Sequence, residues 1–257
     1  VGFKVKNFTT ANMATLESKW DEISTSLRIA AELLADFGLS GGTLTADSVL
    51  IPVAYYVHRR GLPPTYRGSD KKHDREDRAA LRSWVLRSLI ARGVWGSGLD
   101  TRLRDLRGII RAEGEEAFPL ASIERAMARR GKSLDVNDAL IEDILGLAYG
   151  GGRTWAVLAT LFDHVDTRMQ YHVDHIFPKS QLDPRALKAL KNADGTRRLS
   201  DAAIDELVGK RDLLPNLELL PGPESVGKSD AAPDTWLVDH YPGAAEYAAF
   251  LKANALP

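Results

Sequence analysis

The feature that most constrains the fold is a change of sequence pattern near residue 165. Before that point, apolar residues recur at helical spacing in seven segments separated by glycine- or proline-containing turns. After it, two short β-type runs, YHVDHIF and NLELL, flank two short helical segments, and further helical segments close the chain. The pattern therefore predicts a mainly α protein with a small α+β module, as a helical domain over 1–165 and a second module over 166–257.

The first helix is predicted over 12–37, where one apolar stripe runs the whole length of the segment. The stripe consists of Leu16, Trp20, Ile23, Leu27, Leu34 and Phe37. Trp84, Trp95 and Trp155 fall in other helical stripes or turns. Tryptophans in such positions pack in a core more often than they stack on nucleic-acid bases, so we expect core positions for them and for Trp20.

Composition excludes several classes of protein. The chain has 257 residues, a net charge of -1 and no cysteine, so it has neither disulfides nor thiolate metal ligands. No apolar run is long enough to span a bilayer, and the start VGFKVKNFTT lacks the features of a signal peptide. We therefore expect a cytoplasmic protein without a membrane partner. Because residue 1 is not methionine, we also expect a fragment of a longer protein.

Residues able to carry chemistry cluster in the stretch YHVDHIFPKS. In an extended chain His172 and Asp174 project to one face, and His175 projects to the other. Pro178 then ends the strand. Asn216 begins the second β-type run, and Ser225 and Lys228 follow it within the stretch ESVGKSD. Taken singly, each of these residues is more often structural than functional, so the order of the whole set carries the inference.

In this combination the sequence resembles the HNH endonuclease superfamily. That family carries a D-H-I-x-P motif on the first strand of its ββα-metal fold, an Asn at the second strand, and an Asn or His at the following helix. The stretches VDHIFPKS, PNLELL and GKSDAAPDTW match those segments in order. The helical stretches LLADFGL, VLIPVAYYV and LRSWVLRSLIARGVWGSGLDTRL extend the resemblance to the C-terminal region of GmrSD-like modification-dependent restriction and phage-defence nucleases.

The resemblance implies a metal-dependent DNA endonuclease, with Mg²⁺ or Mn²⁺ as the cofactor and DNA as the substrate. It also implies that a nucleotide-dependent sensor domain precedes residue 1. The chemistry of the residues agrees: the neutral imidazole of His175 can take a proton from water, and Asp174 offers a hard oxygen ligand. One such site cuts one strand, so we expect nicking unless two chains pair as a homodimer.

The remaining roles are carried over from the resemblance. Asn216 is expected to tie down the loop that joins the strands, and Lys228 to contact a phosphate. His172 is expected either to contact phosphate or to be structural. Ser225 stands where the family has an Asn or His as second metal ligand. Since a hydroxyl is a weaker ligand, it would bind the metal through water, or Glu224 would replace it, and metal affinity or activity would fall.

Two competing functions remain open at this point. The first alternative to the endonuclease is a DNA-binding effector domain whose nuclease is weakened or lost through Ser225. The second is a metal-dependent hydrolase or nuclease of another class, such as a ribonuclease toxin. No HExxH motif is present, which speaks against a zinc protease. Seven arginines on adjacent predicted helices would form either a phosphate-binding stripe or a solvated face, because acidic residues are interleaved with them. They are Arg102, Arg104, Arg107, Arg111, Arg125, Arg129 and Arg130.

Overall fold

The computed structural model describes residues 8–254 of the chain. Over that range the protein has thirteen α-helices and one sheet of two antiparallel strands. The predicted class, a mainly α protein with a small α+β module, is confirmed at this level. The chain divides into two compact units, Val1–Asp135 and Val136–Pro257, so the division falls well before the predicted boundary at 165/166.

The described residues of the first unit form helices and connecting loops, with no β-strand. Its helices are α1 (Thr10–Ser18), α2 (Trp20–Asp36), α3 (Leu50–Arg60), α4 (Lys72–Ile90), α5 (Leu99–Glu113) and α6 (Leu120–Arg129). The side chain of Thr9 caps α1 by accepting a hydrogen bond from the backbone N–H of Asn12. Gly61, in the left-handed conformation, ends α3. The helices pack in a chain of neighbours, α2 on α3, α3 on α5, and α5 on α6.

The predicted first helix is in fact two helices. It breaks at Lys19, which leaves the helical conformation between α1 and α2. Leu16 and Trp20 of the predicted stripe are 45% and 60% exposed, whereas Ile29 and Leu33 are buried. The core face of α2 therefore begins at Ser26, nearly two turns after Trp20, and includes the small residues Ser26 and Ala30, which a search for large apolar side chains overlooks. Trp84, by contrast, is fully buried as predicted.

A buried carboxylate lies within the core of the first unit. Asp77 is 3% exposed and accepts hydrogen bonds from the hydroxyls of Tyr56 (2.7 Å) and Tyr66 (2.5 Å). It also accepts from the guanidinium of Arg60 (2.6 Å) and from the backbone N–H of Phe118 (2.7 Å). These donors come from α3, from the turn after it and from the segment before α6. Because Asp77 itself lies in α4, one side chain joins four parts of the unit.

The second unit combines helices with the sheet. Its elements are α7 (Asp138–Leu145), α8 (Thr154–Leu161), β1 (Tyr171–His175), α9 (Pro184–Ala189), α10 (Asp201–Lys210), β2 (Leu217–Pro221), α11 (Gly222–Lys228), α12 (Pro233–His240) and α13 (Ala244–Ala253). The two strands correspond to the two predicted β-type runs. Their register pairs Tyr171 with Pro221, Asp174 with Glu218, and His175 with Leu217. The helix α11 follows β2 at once and packs on both strands.

The segment between α7 and α8 explains why these helices belong to the second unit. The backbone N–H of Tyr149 donates to the carbonyl of Asp212, and that of Leu214 donates to the carbonyl of Leu147, both at 2.7 Å. These bonds flank an isolated antiparallel bridge between Ala148 and Leu213. In addition, α8 packs on β2. The last residues of the predicted helical domain are thus part of the support of the sheet.

A small aromatic cluster closes the second unit. Leu220 of β2 packs with Trp236 and Leu237 of α12, and partly buried aromatic residues of α13 cover them.

Among residues 8–254, no helix has the length and apolar character needed to cross a membrane.

Candidate functional site

The site is built around His175, the last residue of β1. Its Nε2 lies 3.0 Å from Oδ1 of Asp212, a residue on the segment between α10 and β2. The pKa of Asp212 is lowered to about 2, chiefly because Lys179 lies 2.9 Å from the same oxygen and also because His175 and Arg211 donate to the carboxylate. Asp212 is therefore ionised near neutral pH and can only accept, so Nε2 carries the proton.

The environment of His175 keeps its ring neutral. Burial lowers the pKa of His175 from its ordinary value of 6.5, and the nearby ammonium of Lys179 lowers it further, while Asp212 acts in the opposite direction. The ring also lies against Tyr149, with 4.7 Å between the ring centroids. With Nε2 donating to Asp212, the lone pair of the neutral ring is on Nδ1. Such an imidazole is ready to accept a proton at neutral pH.

Asp174 precedes His175 and meets a different set of partners. Its Oδ2 lies 2.9 Å from Nζ of Lys228, and its Oδ1 accepts a hydrogen bond from the hydroxyl of Ser225 at 3.3 Å. Both partners belong to α11, so the helix that follows the strand pair brings them to the carboxylate. Asp174 still keeps about a quarter of its side chain exposed.

The structure corrects the expectation for Lys228. This lysine is 1% exposed and donates to Asp174, to the carbonyl of His175 (2.6 Å) and to the carboxylate of Glu218 (2.6 Å). An ammonium group has three donors, and all three are engaged inside the protein. Lys228 therefore has no donor left for a phosphate. Its charge instead offsets Asp174 and Glu218, which face each other across the strand pair.

Asn216 lies in a turn immediately before β2 and is 8% exposed. Its Oδ1 accepts from the backbone N–H of Phe177 at 2.8 Å. Its Nδ2 donates to the carbonyls of Phe177 (3.0 Å) and Arg211 (2.8 Å). Asn216 thus holds the chain leaving β1 against the chain entering β2, which is the tethering geometry expected from the sequence.

His172 and Glu224 each contact partners other than the His175 ring. His172 Nε2 is 3.3 Å from the side-chain nitrogen of Gln170, near Gly222 at the start of α11. The carboxylate of Glu224 lies 3.8 Å from Nε2 of His240. Burial, followed by the nearby charge of Glu224 and a hydrogen bond to it, raises the pKa of Tyr241 to about 12. Glu224 is therefore engaged with α12 and the residue that follows it.

The side chains around Asp174 offer few ligands for a divalent cation. Within residues 8–254 no three or more His, Asp or Glu side chains converge as a metal cage. What remains is Asp174, with the Ser225 hydroxyl beside it. Mg²⁺ is commonly bound through one or two carboxylates, several waters and substrate phosphates, so this set fits a hydrated cation that a phosphate helps to hold. The ammonium of Lys228 beside Asp174 would weaken the binding of such a cation by charge repulsion.

Three residues around His175 escaped the sequence interpretation, namely Asp212, Lys179 and Tyr149. Asp212 lies 37 residues after His175 in the stretch KRDLLPN and has no local signal that would connect it to a histidine. Lys179 directly follows the D-H-I-x-P stretch and lies 4.7 Å from the ring centroid of Tyr149. The position of Lys179 at the end of the motif is the one sequence signal that points to a cation near His175, whereas the resemblance assigns the phosphate contact to Lys228.

A scan against protein-family models gave no match to this chain, and a search of curated proteins gave none either.

Proposed function

We propose that this chain is a metal-dependent DNA endonuclease domain of the HNH type, which hydrolyses a phosphodiester bond and nicks one strand. The observation that carries the proposal is the His175–Asp212 pair. A neutral imidazole, oriented by an ionised carboxylate, stands at the end of a strand directly after an acidic residue. The antiparallel pair followed by a helix is the local topology that the ββα-metal fold requires.

In the proposed reaction, Nδ1 of His175 accepts a proton from water as the water oxygen attacks phosphorus. Asp212, hydrogen-bonded to Nε2, keeps the ring in the required tautomer and stabilises the imidazolium that forms. The bond from phosphorus to the 3′-oxygen breaks, the departing oxygen takes up a proton from the surrounding water, and His175 returns its proton to solvent, so the products are a 3′-hydroxyl and a 5′-phosphate. A Mg²⁺ or Mn²⁺ ion held by Asp174, with water near Ser225, would offset charge on the phosphate and the leaving oxygen.

Lys179 takes the place of Lys228 as the proposed phosphate contact. It is about half exposed, and its ammonium lies 2.9 Å from Asp212 within the group around His175. Neighbouring residues of a strand point to opposite faces, so Asp174 and His175 extend from opposite faces of β1. Because His175 is the last residue of β1, both side chains can contact one phosphate only if it lies beyond the end of the strand. Lys179 follows that end by four residues and carries a cation with solvent access.

The proposal is tested with supercoiled plasmid in EDTA, Mg²⁺ and Mn²⁺. We expect metal-dependent conversion to the nicked form, lost in His175→Ala. The matched control is His164→Ala, a histidine in the same unit and outside the group around His175. Nicking that survives in His175→Ala at the natural rate refutes the assigned base. An absence of nicking in both metals for the natural chain contradicts the endonuclease proposal.

The second candidate is a DNA-binding effector domain with a weakened nuclease. It is favoured by the hydrogen bond from Ser225 to Asp174 and by the ammonium of Lys228, which together engage both carboxylate oxygens. Ser225→Asn separates the two functions. A gain of nicking in Mn²⁺ supports an impaired nuclease, whereas unchanged DNA binding without nicking supports a binding role.

The wider setting is proposed on the resemblance alone. The chain would act in the cytoplasm as the effector of a restriction or anti-phage system, downstream of a nucleotide-dependent sensor domain, and paired cutting of both strands would need a homodimer. Offering plasmid DNA and structured RNA together distinguishes this role from that of a ribonuclease toxin, because only the toxin would degrade the RNA preferentially.

A further inference from the structure

The first unit contains a cavity of about 250 Å³ between α5 and α6. Its cationic lining consists of Arg102, Arg130 and Lys132, and Asp105 is the single carboxylate among its lining residues. The predicted arginine stripe is therefore not one exposed face, since Arg102 is 8% exposed and belongs to this cavity. Every residue of the cavity lies in the first unit, far in sequence from the proposed nuclease residues.

Arg102 carries a buried donor that the protein leaves unsatisfied. Its Nη2 donates to the carbonyl of Ser97 at 3.1 Å, but its buried Nη1 has no hydrogen-bond partner among the described residues. An unpaired buried N–H of a charged group costs free energy, and native proteins rarely leave one without a purpose. Burial also lowers the pKa of Arg102 from its ordinary value, although a guanidinium stays protonated. The position calls for an anionic acceptor.

The start of α5 adds donors at the same place. Gly98, which lines the cavity, is the residue before the helix and has no side chain to cap it. The first backbone N–H groups of a helix lack intrahelical acceptors and carry a partial positive charge. The hydroxyl of Thr101, in the first turn of α5, also lines the cavity. An anion in this cavity would meet Arg102, the helix start and a hydroxyl together.

The charge balance favours a dianion. Three cations and one carboxylate line the cavity, which gives a net charge of +2 (3 − 1). The carboxylate of Asp105 is paired with Arg130 at 3.0 Å. A phosphate monoester carries a charge between about −1.5 and −2 at pH 7, whereas a simple carboxylate carries only one. Apolar side chains of Leu106, Ile109 and Met127 line the remaining wall and suit the organic part of such a ligand.

We infer that this cavity binds a phosphate monoester, with Arg102 as the buried anchor. An adjoining groove of about 550 Å³ shares Asp105 and Arg130 with the cavity and adds Arg104 and Arg129. The body of a longer ligand would lie in this groove. The phosphate can belong to a free mononucleotide or to the 5′ end of a nucleic-acid strand, and both present the same dianion. This binding site stands independently of the proposed nuclease function.

The experiment is calorimetric titration at constant ionic strength with inorganic phosphate, adenosine 5′-monophosphate and adenosine. Phosphate and the monophosphate are expected to bind, and adenosine is not. In Arg102→Met, affinity for the monophosphate should fall by about ten-fold or more, because a charge-assisted hydrogen bond is lost. The matched control is Arg125→Met, which removes an arginine of α6 that lines neither cavity nor groove and should leave affinity unchanged.

A second variant protects the test against a folding defect. Should Arg102→Met not fold, Lys132→Gln at the same cavity must weaken monophosphate binding. Short single-stranded DNA with and without a 5′-phosphate separates the two sources of the phosphate. Tighter binding of the phosphorylated strand identifies a strand end as the ligand. If both strands bind equally and adenosine 5′-monophosphate binds more tightly than either, the ligand is a free mononucleotide. The inference is overturned if neither phosphate nor monophosphate binds, or if Arg102→Met binds the monophosphate as tightly as the natural chain.

Discussion

Replacing Lys228 with methionine removes one buried charge and leaves two carboxylates behind. In the natural protein the ammonium donates at 2.9 Å to Asp174 and at 2.6 Å to Glu218, and Glu218 has only 4% of its side chain exposed. Methionine matches the length of the lysine stem and keeps its apolar packing. The substitution therefore isolates the charge and its hydrogen bonds, including the bond to the carbonyl of His175.

The magnitude follows from burial. Removing one partner of a buried ion pair costs about 3–5 kcal/mol, because the remaining charge is left in the interior without compensation. A protein of ordinary stability has about 5–15 kcal/mol in total, so Lys228→Met should lose a large share of the free energy of unfolding. Urea unfolding at 25 °C, followed by far-ultraviolet circular dichroism, measures the loss. Lys210→Met, an exposed lysine paired with Glu206, is the control and should change stability by less than about 1 kcal/mol.

The loss should depend on pH in a defined direction. Burial raises the pKa of Glu218 above its ordinary value of 4.5, while Lys228 counteracts the rise. Without Lys228 the pKa rises further, so the folded state holds a proton that the unfolded state releases, and stability falls as pH increases above about 4.5. Lys228→Met should therefore be least destabilised near pH 5 and most destabilised near pH 8.

A double variant completes this test. In Lys228→Met/Glu218→Gln the buried carboxylate is replaced by a neutral amide, so part of the lost stability should be regained and most of the pH dependence that Lys228→Met introduces should disappear. A loss of less than about 1 kcal/mol at neutral pH, the range of an exposed pair, would contradict a buried and uncompensated charge in Lys228→Met. An equal loss at pH 5 and pH 8 would contradict the titration of Glu218 as its cause.

Three further outcomes follow from the site. Asp212→Asn should slow plasmid nicking by about ten-fold or more, because the imidazolium of His175 loses its ionised partner; a rate within two-fold of the natural chain contradicts this role. Because burial lowers the pKa of His175, the nicking rate should be constant between pH 7 and pH 8, and it should decrease only at pH values below the ordinary histidine pKa of 6.5, where His175 becomes protonated. A rate that still increases steeply at pH 8 would identify another base. Asn216→Ala should lose about 2–4 kcal/mol in urea unfolding through three broken hydrogen bonds, whereas exposed Asn192→Ala should lose far less.

The strands could be predicted because their cause is local. YHVDHIF and NLELL are short runs with β-type residues, bounded by Pro178 and Pro215, and the structure pairs them as β1 and β2. Asn216 could be placed between them for the same reason. The first helix was predicted less well, since the break at Lys19 and the small residues on the buried face of α2 weaken an apolar stripe.

The partners of the site residues could not be predicted, because they depend on which side chains meet in space. Asp212 contacts His175 across 37 residues of sequence, and its neighbour Leu213 forms the bridge to Ala148 in the segment before α8. Lys228 resembles a surface lysine in the stretch GKSD, and its burial depends on Asp174 and Glu218 facing each other across the strands. The sequence signal for a buried cation is Glu218, a single glutamate within the apolar run LELL, because a buried carboxylate needs a partner of opposite charge.

The hydrogen bonds of Asp77 restrict which amino-acid substitutions the first unit can accept during evolution. Two tyrosines, an arginine and a backbone N–H all terminate on this one carboxylate, so none of its neighbours is free to vary alone. Tyr56→Phe removes one donor and leaves the charge less satisfied, while Asp77→Asn withdraws an acceptor from several groups together. An apolar replacement of the core would require several simultaneous substitutions. We therefore expect related chains to keep this group unchanged or to exchange it as a whole, with intermediate combinations depleted.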